Sequence, residues 1–308
     1  MSTRVTRRQF ALGATALAAA STLPGLAFAA ETKTVTTLLG TAEVPLNPQR
    51  VVTIDHRTDL EPALVLGLDV IASGYWANRP WVPVPEGMAD LDMPTTAEHV
   101  LNLAPDLIIC SGDEPDDEWW PTKRLTAIAP VLTTSFKTNW RNNLLALGEA
   151  LDRQEPAAAA IAEYDALITD IKTRHAATLA GKTLASVQYF PDDKSFRVHL
   201  PDQGDYNNPK GEVMTELAVR TIDPALLGEY GLVSYENMGA ALEKADGILF
   251  ANSSNGDLAL LADDPLWLRL PAVANGKVRE MTGNTNFGSF YTSRHVAQAF
   301  DGLLGLFA

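Results

Sequence analysis

The chain has 308 residues, a formal net charge of −14 and a single cysteine, Cys110. So acidic a protein does not bind nucleic acid or anionic lipid through general electrostatics, and one cysteine cannot close an internal disulfide. The length is ample for a buried core and more typical of two domains than one.

Residues 1–30 read as an export address. Arg4, Arg7 and Arg8 make a basic start, Phe10 to Ala20 an apolar run, and Ala27-Phe28-Ala29 a small-x-small cleavage site before Ala30 or Glu31. The run is too short for a membrane span. Thr6-Arg7-Arg8-Gln9-Phe10 resembles the twin-arginine signal, which exports proteins already folded. Removing these 30 of 308 residues takes away three arginines and no acid, so the charge goes from −14 to −17. No cysteine lies near the cleavage site, so no lipid anchor is expected there and the mature chain is expected free in the periplasm.

Beyond residue 30, strands alternate with helices. Arg50 to Asp55 reads as a buried strand, followed by a helix with Thr58 or Asp59 as N-cap and Gly67 as its stop. Val70 to Gly74 is the next strand. Thr96 caps a helix from Ala97 to Leu103, and Leu107 to Cys110 is a strand whose cysteine is an inert core thiol. Pro121 to Ile128 reads as helix, Val131 to Thr133 as strand and Asn139 to Leu151 as helix. Pro156 opens the longest helical pattern, which runs to Leu179 with Ile161, Tyr164, Leu167, Ile168 and Ile171 at helical spacing. At 1.5 Å per residue it spans about 35 Å.

The alternation then resumes with strands Leu184 to Phe190 and Phe196 to Leu200 and helices Gly211 to Ala218 and Glu236 to Ala245. Strand Gly247 to Ala251 follows. Near the C-terminus, Leu266, Trp267 and Leu270 form the stripe of a short helix opened by Pro265 and stopped by Pro271. Asn275-Gly276 then turns into a strand through Val278. Such alternation implies parallel βαβ units. The expected fold is α/β, two lobes with mainly parallel central sheets joined by one long rigid α-helix. Its expected parts are a signal (1–30), an N-terminal lobe (31–153), the connecting helix (154–181) and a C-terminal lobe (182–308).

The stretch Asp263-Asp264-Pro265-Leu266-Trp267-Leu268-Arg269-Leu270-Pro271-Ala272-Val273-Ala274-Asn275-Gly276-Lys277-Val278 resembles a signature of periplasmic binding proteins for iron–siderophore complexes and cobalamin. These are the helical-backbone class that serves ABC importers. Three further segments repeat the resemblance in order: Val44 to Val52, Glu98 to Ile109 and Val233 to Met238. The resemblance implies a monomer that catalyses nothing and needs no cofactor. It would deliver a ferric siderophore, of the hydroxamate type, to an inner-membrane ABC importer, the iron being bound through the siderophore. Haem or cobalamin is the alternative ligand on the same fold. Glu98 and Glu236 fall where the family pairs one glutamate per lobe with arginines of the membrane permease. On the residues alone, both also read as charges that favour the first turn of a helix.

Ligands of open α/β sheets collect over the carboxyl ends of the strands, here between the lobes. In the first lobe those loops offer Arg57, Tyr75, Trp76, Arg79, Trp81, Trp119 and Trp140; in the second, Arg197, Asn252, Phe287, Tyr291 and Arg294. The tryptophans suggest an aromatic wall for a bulky ligand. Asp113 to Glu118 makes an acidic rim that disfavours a triply negative tricatecholate complex if it faces the cleft. The sparse arginines suit a neutral or weakly cationic ferric hydroxamate. Leu91 to Thr96, resembling the family's usual hydroxamate-arginine region, contains no arginine. The five histidines form no close ligand pair, so no protein metal site is expected. Tyr75, Tyr291 or His56 could hold a haem. A secreted hydrolase is the reading from another class, but Ala251 to Gly256 around Ser253 is not a Gly-x-Ser-x-Gly elbow.

Overall fold

A computed structural model describes residues 31–37, 39–74, 78–201, 207–252 and 257–308. The chain enters through an antiparallel hairpin of β1 (Thr32–Thr37) and β2 (Gly40–Pro45). No residue of β1 is fully buried, so the strand lacks the apolar period that would announce it in sequence.

The first lobe is built on β3 (Val51–Thr53), β4 (Val70–Ser73), β5 (Ala89–Asp90), β6 (Leu107–Ser111) and β7 (Val131–Thr134). They lie in the order β5-β4-β3-β6-β7 and every pairing is parallel. β3 and β6 are buried throughout, as unbroken apolar runs covered on both faces must be. The Asp106 carboxylate accepts from the Gln49 and Arg50 amides (2.7 and 2.9 Å) and fixes the start of β3 beside β6.

After β3 the chain turns through a wide helical turn, His56–Leu60, straight into α1 (Glu61–Val65). The cap is Asp55, whose carboxylate accepts from the amides of Arg57 and Thr58, and not Thr58 or Asp59 as the sequence suggests. Gly67, at φ +68°, ends this segment in the left-handed region that glycine favours. Three more helices complete the lobe: α2 (Ala97–Asn102), α3 (Thr122–Leu125) and α4 (Trp140–Ala150). Thr96 caps α2 as expected, its hydroxyl accepting from the His99 amide at 3.2 Å. Thr96→Ala is expected to cost about 1 kcal/mol, read as a fall of about 2 °C in melting temperature. An unchanged melting temperature would deny the cap any energetic role.

The long helix is α5 (Gln154–Arg174), followed by α6 (Ala176–Gly181). The pattern read as continuous to Leu179 is broken at His175, where the backbone leaves helical geometry (φ −110°, ψ 19°) and the ring meets Asp301. α5 buries one stripe, Ala157, Ala160, Tyr164, Ile168 and Ile171, whereas α6 buries no residue fully and meets the core through the partly buried Leu179.

In the second lobe, β8 (Leu184–Phe190), β9 (Ser195–His199), β10 (Leu232–Ser234), β11 (Gly247–Ala251) and β12 (Val278–Met281) lie in the order β10-β9-β8-β11-β12. β8, β11 and β12 are parallel, while β9 and β10 are antiparallel additions. Its helices are α7 (Pro209–Glu216), α8 (Met238–Leu242), α9 (Pro265–Leu268), α10 (Pro271–Ala274) and α11 (Phe290–Gly305). Pro271 ends α9 and also opens α10, since a proline at a first helical position loses no hydrogen bond.

One apolar cluster runs unbroken from β3 and β6 through α4 and α5 into α7, β11 and α11, with smaller clusters on the outer faces of the two sheets. Trp140 belongs to this core. It has no exposed surface and packs against Tyr164 and Phe290 at 5.2 and 6.2 Å, so it is not part of a cleft wall. Beside it, Arg141 lies over the Trp140 and Tyr164 rings and bridges Asp165 and Glu216 (2.6 and 2.5 Å). The same side chain thereby links α4, α5 and α7. The joint between the lobes is wider than one helix.

Candidate ligand-binding site

Asp59 organises the floor of the first lobe. Its Oδ2 accepts from the amides of Asp55 and Ser111 (2.8 and 3.0 Å), and its Oδ1 from the hydroxyls of Ser111 and Thr134 (2.9 and 2.5 Å). One carboxyl therefore holds the carboxyl ends of three strands, β3, β6 and β7. Burial, then the nearby Asp55 charge, pushes the Asp59 carboxyl up to about 7. Burial and the Arg79 charge push His56 down to about 4, leaving its imidazole neutral at pH 7.

On this floor stands Arg57. Its guanidinium grips the Asp55 carboxylate in a fork (Nε to Oδ1 3.1 Å, Nη2 to Oδ2 2.8 Å) and lies over the Phe136 and Phe287 rings at 5.0 and 4.9 Å. A cavity of about 400 Å³ opens here, lined by Arg57, Ser111, Glu114, Trp120, Phe136 and Phe287 among others. Phe287 comes from the second lobe and the rest from strand-end loops of the first. Trp120 and Phe287 each meet Phe136 edge to face, at 5.1 and 4.7 Å.

The acidic rim borders the same cavity through Asp113, Glu114 and Asp117. Two of its carboxylates also fix the loops, Asp113 tying its own to the loop after β7 and Asp117 bracing its own. Asp113 accepts from Ser135 Oγ and the Phe136 amide, and Asp117 from the Trp119 and Trp120 amides.

The lobes meet beside this cavity through buried polar contacts. Arg79 donates to Glu61 Oε1 (2.8 Å), Thr292 Oγ1 (2.9 Å) and the carbonyls of Asn286 and Phe287 (2.6 and 2.7 Å). Glu61 Oε2 accepts from the Ser289 and Thr292 amides at 2.9 and 3.0 Å. Burial pushes the Glu61 carboxyl up and the Arg79 guanidinium down, and each charge offsets that burden for the other. The Asn207 amide reaches Phe136 O at 2.7 Å, and its side chain exchanges two hydrogen bonds with Gly288.

The candidates read from sequence therefore separate. Arg57 and Phe287 line the cavity, whereas Arg79 is a strut with no exposed side-chain surface. Trp119 is 44% exposed beside the cavity-lining Trp120. Trp81 stacks on His295 at 3.9 Å and donates to Thr292 Oγ1. It needs a glycine at 283, where a Cβ would stand 2.5 Å from the indole. With Tyr291 and Arg294 it borders a separate groove of about 240 Å³. Arg294 is paired with Glu163 of α5 at 3.0 Å. Arg197 lies over Phe190, and Asn252 donates to Glu280. Tyr75 and Trp76 lie outside the described residues. Glu98 and Glu236 are exposed on separate lobes, Glu98 in the first turn of α2 and Glu236 in the short 3₁₀ turn Tyr235–Asn237. Cys110 is buried and its thiol is pushed well up, as a core thiol should be.

Sequence reasoning passed over Phe136 and Trp120 as site residues, although both stand in strand-end loops. It also passed over Lys210 of α7 and over Ser186, Gln188 and His199, whose signal was polar residues at every second position of otherwise apolar strands.

A two-lobed α/β chain with an aromatic cavity at the carboxyl ends of its strands has the architecture of a solute-binding protein. Residues 81–285 match the family model described as periplasmic binding protein, and the chain belongs to that family. This is a family of substrate-binding proteins and not of enzymes. The chain is 26% identical over 271 residues to the Bacillus subtilis protein named "Probable siderophore-binding lipoprotein YfiY", covering 82% of this chain and 80% of that one. It is 23% identical over 277 residues to the iron(3+)-hydroxamate-binding protein FhuD of Escherichia coli, with 84% and 88% covered. Among solved structures, it matches a FhuD fold-family periplasmic binding protein component of a Fep/Fec-like ferrichrome ABC transporter from Bacillus subtilis. The TM-score is 0.72 at 21% identity, over 88% of this chain and 99% of that one.

Proposed function

We propose that this protein carries a ferric siderophore of the hydroxamate type through the periplasm to an inner-membrane ABC importer. The observation that carries this reading is the cavity at the lobe junction, where one anchored guanidinium is ringed by three aromatic side chains. Arg57 can donate to hydroxamate oxygens while the rings pack on aliphatic spacers. The rim of Asp113, Glu114 and Asp117 repels a triply negative complex and tolerates a neutral one. The relatives' names support the same class of cargo.

The iron arrives enclosed in the siderophore, so the protein needs no cofactor and performs no catalysis. It acts as a monomer, exported by its twin-arginine signal. Glu98 and Glu236, exposed on separate lobes, dock arginines of the permease. Of the candidates named from sequence, Arg57 and Phe287 touch the ligand from the cavity. Trp119, Arg197 and Asn252 complete the cleft.

Tryptophan fluorescence of the mature protein, titrated with ferrioxamine B, ferrichrome, ferric enterobactin, haem and cobalamin, tests the proposal. Saturable quenching by a hydroxamate complex at sub-micromolar concentration is the expected result. Arg57→Leu should weaken that binding about tenfold or more, the loss of one hydrogen bond to a charged group. Binding of haem or cobalamin alone would overturn the siderophore assignment.

A further inference from the structure

The face of the second sheet that looks toward α7 carries an unusual set of side chains. Ser186 stands directly opposite His199 in the β8–β9 ladder, and Gln188 opposite Arg197. All four therefore share one face, while Ala185, Val187, Phe196 and Val198 point into the apolar cluster behind. Ser186, Gln188 and His199 are more than nine-tenths buried. Among the described residues, Ser186 Oγ, Gln188 Oε1, Arg197 Nε and His199 Nε2 have no hydrogen-bond partner, although buried polar atoms are nearly always paired.

Next to them, Lys210 begins α7 with 1% of its surface exposed. Among the described residues its ammonium reaches only neutral acceptors: Thr285 O, Thr285 Oγ1 and Asn286 Oδ1, at 3.1, 3.2 and 3.1 Å. Among the described residues, neither Lys210 nor Arg197 forms an ion pair with a carboxylate. The groups sense one another: burial and the charges of Arg79 and Arg197 push Lys210 down to about 7, and burial with Lys210 and Arg197 pushes His199 well down. Their charges act on one another, and among the described residues no carboxylate pairs with them.

The cluster is tied to the surroundings of the cavity. Thr285 and Asn286 follow the carboxyl end of β12, and the Asn286 carbonyl also holds Arg79. Three residues before Lys210, the Asn207 amide bonds the carbonyl of Phe136, a wall of the cavity. The first-lobe rim is acidic and this second-lobe recess is basic. We propose that Lys210, Arg197 and His199, with Gln188 and Ser186, form an anion-accepting recess that takes a carboxylate borne by the cargo. A guanidinium fork and an ammonium together match a carboxylate's two oxygens. The recess gives the cargo one orientation, its anionic end toward the second lobe. The inference rests on the siderophore reading for the identity of the cargo, but the recess itself can be probed without iron.

Iron-free citrate titrated calorimetrically into the mature protein is the first arm. Binding is expected to weaken at least tenfold in Arg197→Gln and in Lys210→Met. At pH 8 it should draw protons from the buffer, because an anion restores the charge on Lys210, and Lys210→Met should reduce that uptake. Should Lys210→Met fail to fold, the half-buried Arg197→Gln decides. Absent citrate binding, or equal affinity in wild type and variants, overturns the recess.

The second arm compares three ferric trihydroxamates with one iron centre: ferrioxamine B with its pendant ammonium, its N-acetyl form and its N-succinyl form. The succinyl carboxylate should give the tightest complex by tenfold or more, and Arg197→Gln should erase the advantage. Equal affinities would keep the siderophore reading and overturn the carboxylate. If none of the three binds, the hydroxamate reading falls, and the citrate arm still decides the recess.

Discussion

Arg79→Met is expected to lower the unfolding free energy by about 3–5 kcal/mol, the cost of leaving one partner of a buried ion pair unanswered. The Glu61 carboxylate has no exposed side-chain surface and would keep only its contacts with Ser289 and Thr292. The carbonyls of Asn286 and Phe287 would also lose their donor. Glu61→Gln should cost a comparable amount, because the Arg79 charge then lies buried against neutral groups. The double variant Glu61→Gln/Arg79→Met should recover part of the loss, since no uncompensated charge remains. Urea unfolding of the four proteins measures this coupling. Single variants within 1 kcal/mol of wild type would show that the strut contributes nothing to stability. Glu61 lies in the first lobe and Ser289 and Thr292 in the second, so the single variants should also loosen the joint. Unfolding of Arg79→Met is then expected to separate into two transitions where the wild type shows one.

The same residue shows where the sequence is readable and where it is not. The parallel strands and the buried stripe of α5 were legible because their signals are local: unbroken apolar runs and a period near 3.6. Arg79 read as a cleft cation, because nothing within a few residues of it reveals a partner. Its partners are Glu61, 18 residues away, and Thr292, 213 residues away. Arg294 hides its pairing with Glu163 in the same manner. Trp140 was a readable miss. Trp140, Asn143, Leu144 and Leu147 are all buried at i, i+3, i+4 and i+7, which puts the indole on the core stripe of α4 despite its position at the helix start. The basic recess also left a local trace, since Gln188 and His199 interrupt apolar strands on alternate residues. Which charges face that recess depends on the register of β8 and β9 and on the approach of α7, neither of which is local. The cavity was legible as a place, the carboxyl ends of the strands, better than as a set of residues.

Asp59→Ala is expected to be the second large loss. It would strip acceptors from the amides of Asp55 and Ser111 and from the hydroxyls of Ser111 and Thr134, all buried. At about 1–3 kcal/mol for each stranded buried group, partly offset where hydroxyls find one another, a loss of several kcal/mol follows. Asp59→Asn keeps the shape and one acceptor oxygen, and its effect should depend on pH. The native carboxyl is raised from 3.8 to about 7, so between those values the folded state holds a proton that the unfolded state has released. The stability from that proton is fully present below about pH 4 and is lost as pH rises through about 7, at most about 1.4 kcal/mol per pH unit. Urea unfolding from pH 4 to 8 should therefore show wild-type stability falling more steeply than that of Asp59→Asn, with the gap between them narrowing toward pH 8. Parallel profiles would mean that Asp59 is ionised throughout and only holds strand ends. Diverging slopes with weakened ligand binding in Asp59→Asn would show that it also seats Arg57, two residues earlier on the same turn.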